Sequence, residues 1–279
     1  MIKLGTLNTL KITRFTDHGA YLDAGDMGEI LLPKAYVLPE MRPEQEVEVF
    51  VYLDQEERLV ATTEKALAAV GDFAFLRVAW VNNYGAFLHW GLMKDLFVPF
   101  SEQKMRMEQD RSYIVFIYID EETHRIVASA KIEKFLTPAS SADYYRGKEV
   151  SRLVQQKTPM GFKVIVDNRH AGMIYDNQII REPRTGDRLQ GTVLTVRPDG
   201  KLDIALGSIG KSRFRDFADD LLEVLRLSPD GFLPFTDKSD ADAIAETFGV
   251  SKKTFKRAIG TLYKARKISL EEKGIRLRG

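Results

Sequence analysis

Four histidines, His18, His89, His124 and His170, are the only imidazoles in the 279 residues, and there is no cysteine. Thiolate nucleophiles, disulfides and cysteine-ligated zinc are therefore excluded together, and a reducing compartment is the natural setting. The histidines are scattered. No His-x-x-x-His or Glu-x-x-His pair occurs, and no glycine-rich loop has the P-loop or dinucleotide spacing. Glu56-Glu57 and Glu121-Glu122 are paired acids between strand-like runs, where carboxylates are usually solvated turns, and no cluster has the spacing of a nuclease metal site. The chain reads as a non-enzyme that needs no metal and no cofactor.

What repeats instead is a ring or other large side chain beside a glycine. Tyr84-Gly85-Ala86-Phe87-Leu88, His18-Gly19-Ala20-Tyr21-Leu22 and Met160-Gly161-Phe162-Lys163-Val164 share the pattern. In each, the glycine frees the backbone to turn and alternating apolar residues follow, so each reads as a hairpin of two antiparallel strands. Stacking on a ring contributes about 1–3 kcal/mol per nucleic-acid base and tolerates any sequence. The plainer reading is that a ring in a strand packs inward. Arg58, Arg125 and Lys201 fall at matching places after the fourth strand of each repeat, where they are either hairpin-tip charges or partners for a phosphodiester.

A second kind of chemistry lies at the C-terminal end. The net charge is only +1, yet Val250–Gly279 holds ten Lys/Arg against two acids, which leaves the first 249 residues at −7. Such asymmetry points to a basic surface for a polyanion, with a solvated, partnerless face as the alternative. Lys252, Lys253, Lys256 and Arg257 lie on a helix opposite Phe255, Ile259 and Leu262, with Lys264 and Arg266 at its end and Lys273, Arg276 and Arg278 in the hairpin that follows. That helix has no Asn or Gln to read a base through two hydrogen bonds, which favours backbone contacts over sequence readout.

These residues must be positioned by elements, and the elements repeat. Glu46–Asp54 alternates strictly and is a strand, and Gln55–Arg58 is a polar hairpin into Leu59–Thr63. The same order recurs from Phe73 to Ser129, and the 35 positions from Gly19 to Asp54 equal those from Gly85 to Asp120. The third copy is looser, with 38 positions from Gly161 to Asp199, Asp176–Arg184 as a connection and Pro198-Asp199-Gly200 as its closing turn. Beyond Gly207 the period becomes helical, at Phe214, Phe217, Leu221, Leu222 and Leu225, stopped by Ser228-Pro229-Asp230-Gly231. Ala241–Phe248 and Lys252–Lys267 are two further helices around a Gly249 turn, and Ile268–Leu277 is a wing-like hairpin. The divisions expected are 1–66, 67–136 and 146–207 for three barrels and 211–279 for the helical module. No apolar run approaches the roughly 18–20 residues a membrane span requires, and the first residues are no secretory signal, so a cytoplasmic protein is expected.

Units of about 65 residues with five short strands point to small Greek-key barrels of the OB type. The segments Tyr84–Leu88 and Gly161–Val164 resemble the glycine-aromatic hairpin of S1 RNA-binding domains. The order of three S1-like barrels and a winged helix-turn-helix resembles the conserved virulence factor B family over essentially the whole chain. The fold class expected is mainly β, with an α+β C-terminal module. S1 domains bind single-stranded RNA on the face of their second and third strands, and the resemblance implies His18 and Tyr21, Tyr84 and Phe87, and Met160, Lys163 and Tyr175 as contacts. In the third strand, where S1 domains often carry a histidine, this sequence has Leu32, Val98 and Tyr175. The expected partner is single-stranded RNA, in regulation of gene expression. A transcription regulator that holds duplex DNA by the winged helix, and a scaffold that docks on the ribosome or polymerase, are the rival readings.

Overall fold

Alternation of apolar and polar residues builds the first barrel. Its strands are β1 (Thr6–Thr16), β2 (Gly19–Asp23), β3 (Glu29–Pro33), β4 (Glu46–Leu53) and β5 (Leu59–Thr62), closed in the order β1-β2-β3-β5-β4. Ile12, Leu22, Leu32 and Val49 fill the interior. The long β1 pairs with β2 at one end and with β4 at the other, and a parallel contact of Leu31 with Val60 closes the ring. A single turn of 3₁₀ helix, Lys34–Tyr36, follows β3. The computed structural model describes residues 2–175, 182–206, 212–228, 230–248 and 250–278.

The second barrel repeats this plan with β6 (Phe73–Val81), β7 (Gly85–His89), β8 (Leu96–Pro99), β9 (Ser112–Ile119) and β10 (Ile126–Ser129). The core of the second barrel extends onto the outside of the first. In β4, outward positions are Glu46 and Glu48 at one end but Phe50 and Tyr52 at the other, and these two rings pack with Leu76, Leu88 and Trp90 of the second barrel. Phe50 meets Trp90 edge to face at 5.7 Å, the geometry that the ring quadrupoles favour. Leu67 N–H donates to Trp90 O at 2.8 Å, and Lys94 Nζ donates to Asp54 O at 2.6 Å. Both barrels fall in one compact unit, Met1–Thr137.

The other unit, Pro138–Gly279, holds the third barrel and the helical module. Its barrel strands are β11 (Glu149–Thr158), β12 (Gly161–Val166), β13 (His170–Tyr175), β14 (Arg188–Val196) and β15 (Leu202–Leu206). The expected connection 176–184 lies largely outside the described residues, as do Pro229 and the Gly249 turn. After α1 (Ser212–Leu227) come β16 (Phe232–Leu233), α2 (Ala241–Phe248), α3 (Lys252–Lys264), β17 (Ile268–Glu271) and β18 (Gly274–Leu277). Asp240 caps α2, its Oδ2 accepting from Asp242 N–H and Ala243 N–H, and these amide bonds hold the carboxyl below its usual range. Ser251 caps α3 by accepting from Thr254 N–H at 3.2 Å. Phe217, Leu221, Phe255, Ile259 and Leu262 form the core of this module. The fold is mainly β, three closed five-stranded barrels followed by a winged helix. The wing is one strand richer than expected, because two-residue β16 adds to its edge in the order β16-β18-β17.

Candidate nucleic-acid interface

A β-bulge decides which rings the second barrel shows. Along β6, Val78 pairs with Leu88 but Trp80 pairs with Phe87, so two residues of β6 span one of β7. Simple alternation would put Trp80 inside with Val78. The extra residue turns it out, 42% exposed, while Val78 stays in the core. On the outer face Trp80 stacks flat on Phe87, with centroids 3.7 Å apart and planes within 5°, and Phe87 leans on Phe97 at 4.9 Å. Trp80 Nε1 donates to Asp95 Oδ2 at 2.9 Å, which fixes the indole in its plane.

The turn beside this row is equally fixed. Asn82 Oδ1 accepts from Tyr84 N–H at 2.8 Å and Gly85 N–H at 3.1 Å, leaving Tyr84 projecting with 75% of its surface exposed. Gly85 serves less for turning than for closeness. A Cβ there would collide with Val98 O and with the Phe97 ring, and the same need recurs at Gly19 and Gly161 against Leu32 O and Ile174 O. A groove of about 800 Å³ is lined by Trp80, Tyr84, Phe87 and Phe97 together with Lys94 and with Gln55 and Glu57 of the first barrel. Desolvation lowers the Lys94 ammonium from its ordinary value, although nearby Glu57 pulls the other way.

In the first barrel the same positions carry different chemistry. A bulge between Ile12 and Arg14 sets Arg14 opposite Tyr21, and Leu31 takes the third-strand place. The guanidinium lies over the Tyr21 ring at 3.9 Å and grips Glu29 through Nε and Nη2, at 3.1 and 2.7 Å to Oε2. Hydrogen bonds from Arg14, and from Thr13 at 2.6 Å, hold the Glu29 carboxyl below the usual carboxylate range. One face of Tyr21 is thus already taken. His18 is exposed at the turn.

The third barrel has no ring at any of the three places: Gln156 pairs with Lys163, and Lys163 with Met173. Lys163 is exposed, and Met160 projects from the turn. Tyr175 is half-buried, its hydroxyl accepting from Arg197 Nη2 at 2.7 Å while Arg197 Nε donates to Asp203.

Two expectations change here. Leu32 and Val98 are fully buried core residues, so the outward-facing third-strand residue is one earlier, the half-buried Leu31 or Phe97. Tyr175 in turn pairs with Gly161, as Pro33 does with Gly19 and Pro99 with Gly85, and so is not the counterpart of Leu32 and Val98. A one-residue slip in a strand exchanges its faces, which is why sequence reasoning passed over Phe97. Trp80 was passed over because a bulge breaks the alternation. The signal for Phe97 was available: once Val98 is read as core beside Ala86 and Leu88, parity puts Phe97 outside.

The hairpin-tip cations are paired within the chain. Arg58 binds Asp54 at 2.8 Å and Glu56 at 2.7 Å, Lys201 binds Asp199 at 2.7 Å, and Arg125 is ion-paired with Glu57 at the edge of the groove. Of the basic helix, Lys253, Lys256, Arg257 and Lys264 share one exposed stripe, i, i+3, i+4 and i+11, with Gly260 open between them. Lys256 reaches Asp237 at 3.3 Å. Lys252 is half-buried and donates to Lys238 O at 3.3 Å. Arg266, Lys273 and Arg278 are exposed, whereas Arg276 donates to Glu271 and to Asp230 O and covers Phe232.

Residues 4–64 match the S1 domain model, 137–207 the model of the virulence regulatory factor CvfB second domain, and 219–277 that of the CvfB-like winged helix domain. The uncharacterized protein YitL of Bacillus subtilis is 32% identical over 275 residues, covering 94% of this chain and 90% of its own. The chain belongs to the CvfB family. Conserved virulence factor B of Staphylococcus aureus strain USA300 is 28% identical, covering 83% of this chain and 81% of its own. A crystal structure described as a multidomain protein with nucleic acid binding domains from Streptococcus pneumoniae is 24% identical, covers 99% of this chain and 98% of its own, and superposes with a TM-score of 0.44. The matched S1 and winged-helix domains are nucleic-acid-binding types rather than catalytic ones. Among the described residues no helix is long and apolar enough to cross a membrane.

Proposed function

We propose that this protein binds single-stranded RNA in the regulation of gene expression, with no catalytic step. The second barrel stacks bases on Trp80, Phe87, Phe97 and Tyr84, and the α3 stripe holds phosphates. The single observation that carries this reading is the flat Trp80–Phe87 pair at 3.7 Å, half open to solvent on the strand face that S1-type barrels turn to nucleic acid. Exposed stacked rings cost hydration, and a base that continues the stack removes that cost while its edges stay free, so no sequence is demanded. Four modules joined in one chain, divided near residues 66, 136–146 and 207–211, gain by linkage, because a strand held at one site presents itself to the next at raised effective concentration.

The test is fluorescence anisotropy of labelled single-stranded RNA and duplex DNA with the full chain and with Trp80→Ala/Phe87→Ala. The expected outcome is RNA binding that falls at least tenfold in the double variant with the far-ultraviolet circular dichroism unchanged. Binding of duplex DNA alone, untouched by the double variant, would replace this reading with that of a DNA-binding regulator acting through α3. Failure of both nucleic acids to bind would leave the docking scaffold.

A further inference from the structure

The three barrels permit a residue-by-residue comparison of their interiors, and one pair of positions in the third departs from the other two. Two residues before the bulge of the first strand, the barrels carry Leu10, Leu76 and Arg152. On the neighbouring fourth strand, Val49 and Val115 are fully buried, and the third barrel has Gly191 in their place. The two changes belong together. A Cβ on Gly191 would collide with Arg152 Nη1, so the glycine makes the space the guanidinium fills.

Arg152 is 3% exposed, and Nη1 donates to Ala205 O at 2.9 Å. Its Nε–H is buried with no acceptor, and no carboxylate pairs with the guanidinium among the described residues. An uncompensated buried cation is costly, and desolvation pushes Arg152 down to about 10, which leaves it charged at neutral pH. Arg152 lines a pocket of about 210 Å³ with Arg188, Asn168, Gln190 and Ser151, and no acidic residue is among the lining groups. One water needs only about 10–15 Å³ of such space. Ser151 is bonded to the Asp167 carboxylate, so the charge the pocket offers is that of Arg152, with room for an oxyanion and N–H groups in the fork geometry that matches phosphate.

We infer that the Arg152–Gly191 pocket of the third barrel is an anion site for a phosphate group, supplied either as free phosphate or as the terminal phosphate of an RNA. It is separate from the ring face of the second barrel, and the free-phosphate arm of its test does not depend on RNA binding at all.

The experiment is calorimetric titration of the full chain with inorganic phosphate in chloride buffer of matched ionic strength, and with a 5′-phosphorylated uridine pentamer and its 5′-hydroxyl twin. Wild-type protein, Arg152→Leu and Arg152→Lys are compared. Leucine is what the other two barrels place there, so the leucine variant is expected to fold and to melt no lower than wild type in phosphate-free buffer. Saturable one-site binding of phosphate or of the phosphorylated pentamer is expected for wild type, at least tenfold weaker in Arg152→Leu and intermediate in Arg152→Lys. A preference for the phosphorylated pentamer that only wild type shows assigns the source to an RNA end, and loss of inorganic phosphate binding without such a preference assigns it to free phosphate. The proposal is overturned if wild type shows no saturable binding of either, or if Arg152→Leu titrates like wild type. It is equally overturned if Arg152→Leu melts well below wild type without phosphate, which would make Arg152 a structural strut to Ala205 O.

Discussion

The first and second barrels share strand order, bulge position and turn glycine, yet one covers its cross-strand ring with a cation and the other with a second ring. At the paired positions after the bulge stand Arg14 and Tyr21 in the first, Trp80 and Phe87 in the second. Arg14 caps Tyr21 and is tethered by Glu29, so the face is occupied by the chain's own cation. Trp80 is tethered too, by Asp95, but through its ring edge, and its own face lies flat on Phe87. Under the proposed function, the contrast teaches that base stacking would rest on one cross-strand pair and not on the fold that both barrels possess.

The largest effect expected from this contrast is that of Trp80→Ala against Tyr21→Ala. Loss of one stacking platform costs about 1–3 kcal/mol, or roughly 5–150-fold in the affinity for single-stranded RNA. Tyr21→Ala is expected to change it less than twofold. Equal losses in anisotropy titrations would mean that Arg14 swings aside and that both barrels bind.

Next in size is the ionic term. Lys253→Ala/Lys256→Ala/Lys264→Ala removes three exposed cations of α3. At about 0.7 per phosphate contact, the slope of log affinity against log salt for a single strand should become shallower by about 2, whereas Trp80→Ala should leave the slope unchanged. A slope altered by the tryptophan and not by the lysines would place the phosphate contacts on the barrels. Smaller still is a gain: Arg14→Trp with Glu29→Gln rebuilds the second barrel's pair in the first. It should tighten binding of an RNA long enough to reach both barrels by about fivefold, the lower end of a single stacking interaction.

Much of the frame was legible because it depends on periodicity. The equal Gly19–Asp54 and Gly85–Asp120 spacings located both hairpins, and helix α2 begins after Asp240 in sequence as in space. The site was less legible, because it depends on where periodicity breaks. Tyr84 and Phe87 sit beside a glycine and announce themselves, whereas Trp80 reaches the face only through a bulge and Phe97 only through the right parity. The ion pairs of Arg58 and Lys201 join residues two to four apart and follow from tight turns, but Arg125 meets Glu57 of another barrel, which local sequence does not encode. Arg152 reads as one more charge in a strand until the three barrels are set in register.

The clasp of the first barrel has its own pH dependence, and its sign is fixed by Glu29. Arg14 hydrogen-bonds the charged carboxylate, so the folded pKa lies below the roughly 4.3 of a free glutamate. A depressed carboxylate contributes its stabilisation fully above the unfolded value and loses it as pH falls through the folded one. Arg14 itself is raised by Glu29, which moves its titration further into alkali. The clasp should therefore be constant from pH 5 to 9 and open only in acid. Nuclear magnetic resonance of the Arg14 Nε–H and the Tyr21 ring protons follows it directly, and a single transition with a midpoint below 4.3, absent in Glu29→Gln, is expected. A midpoint at or above 4.3 would show that the guanidinium does not hold the carboxylate, and the cation over Tyr21 would then lose its tether.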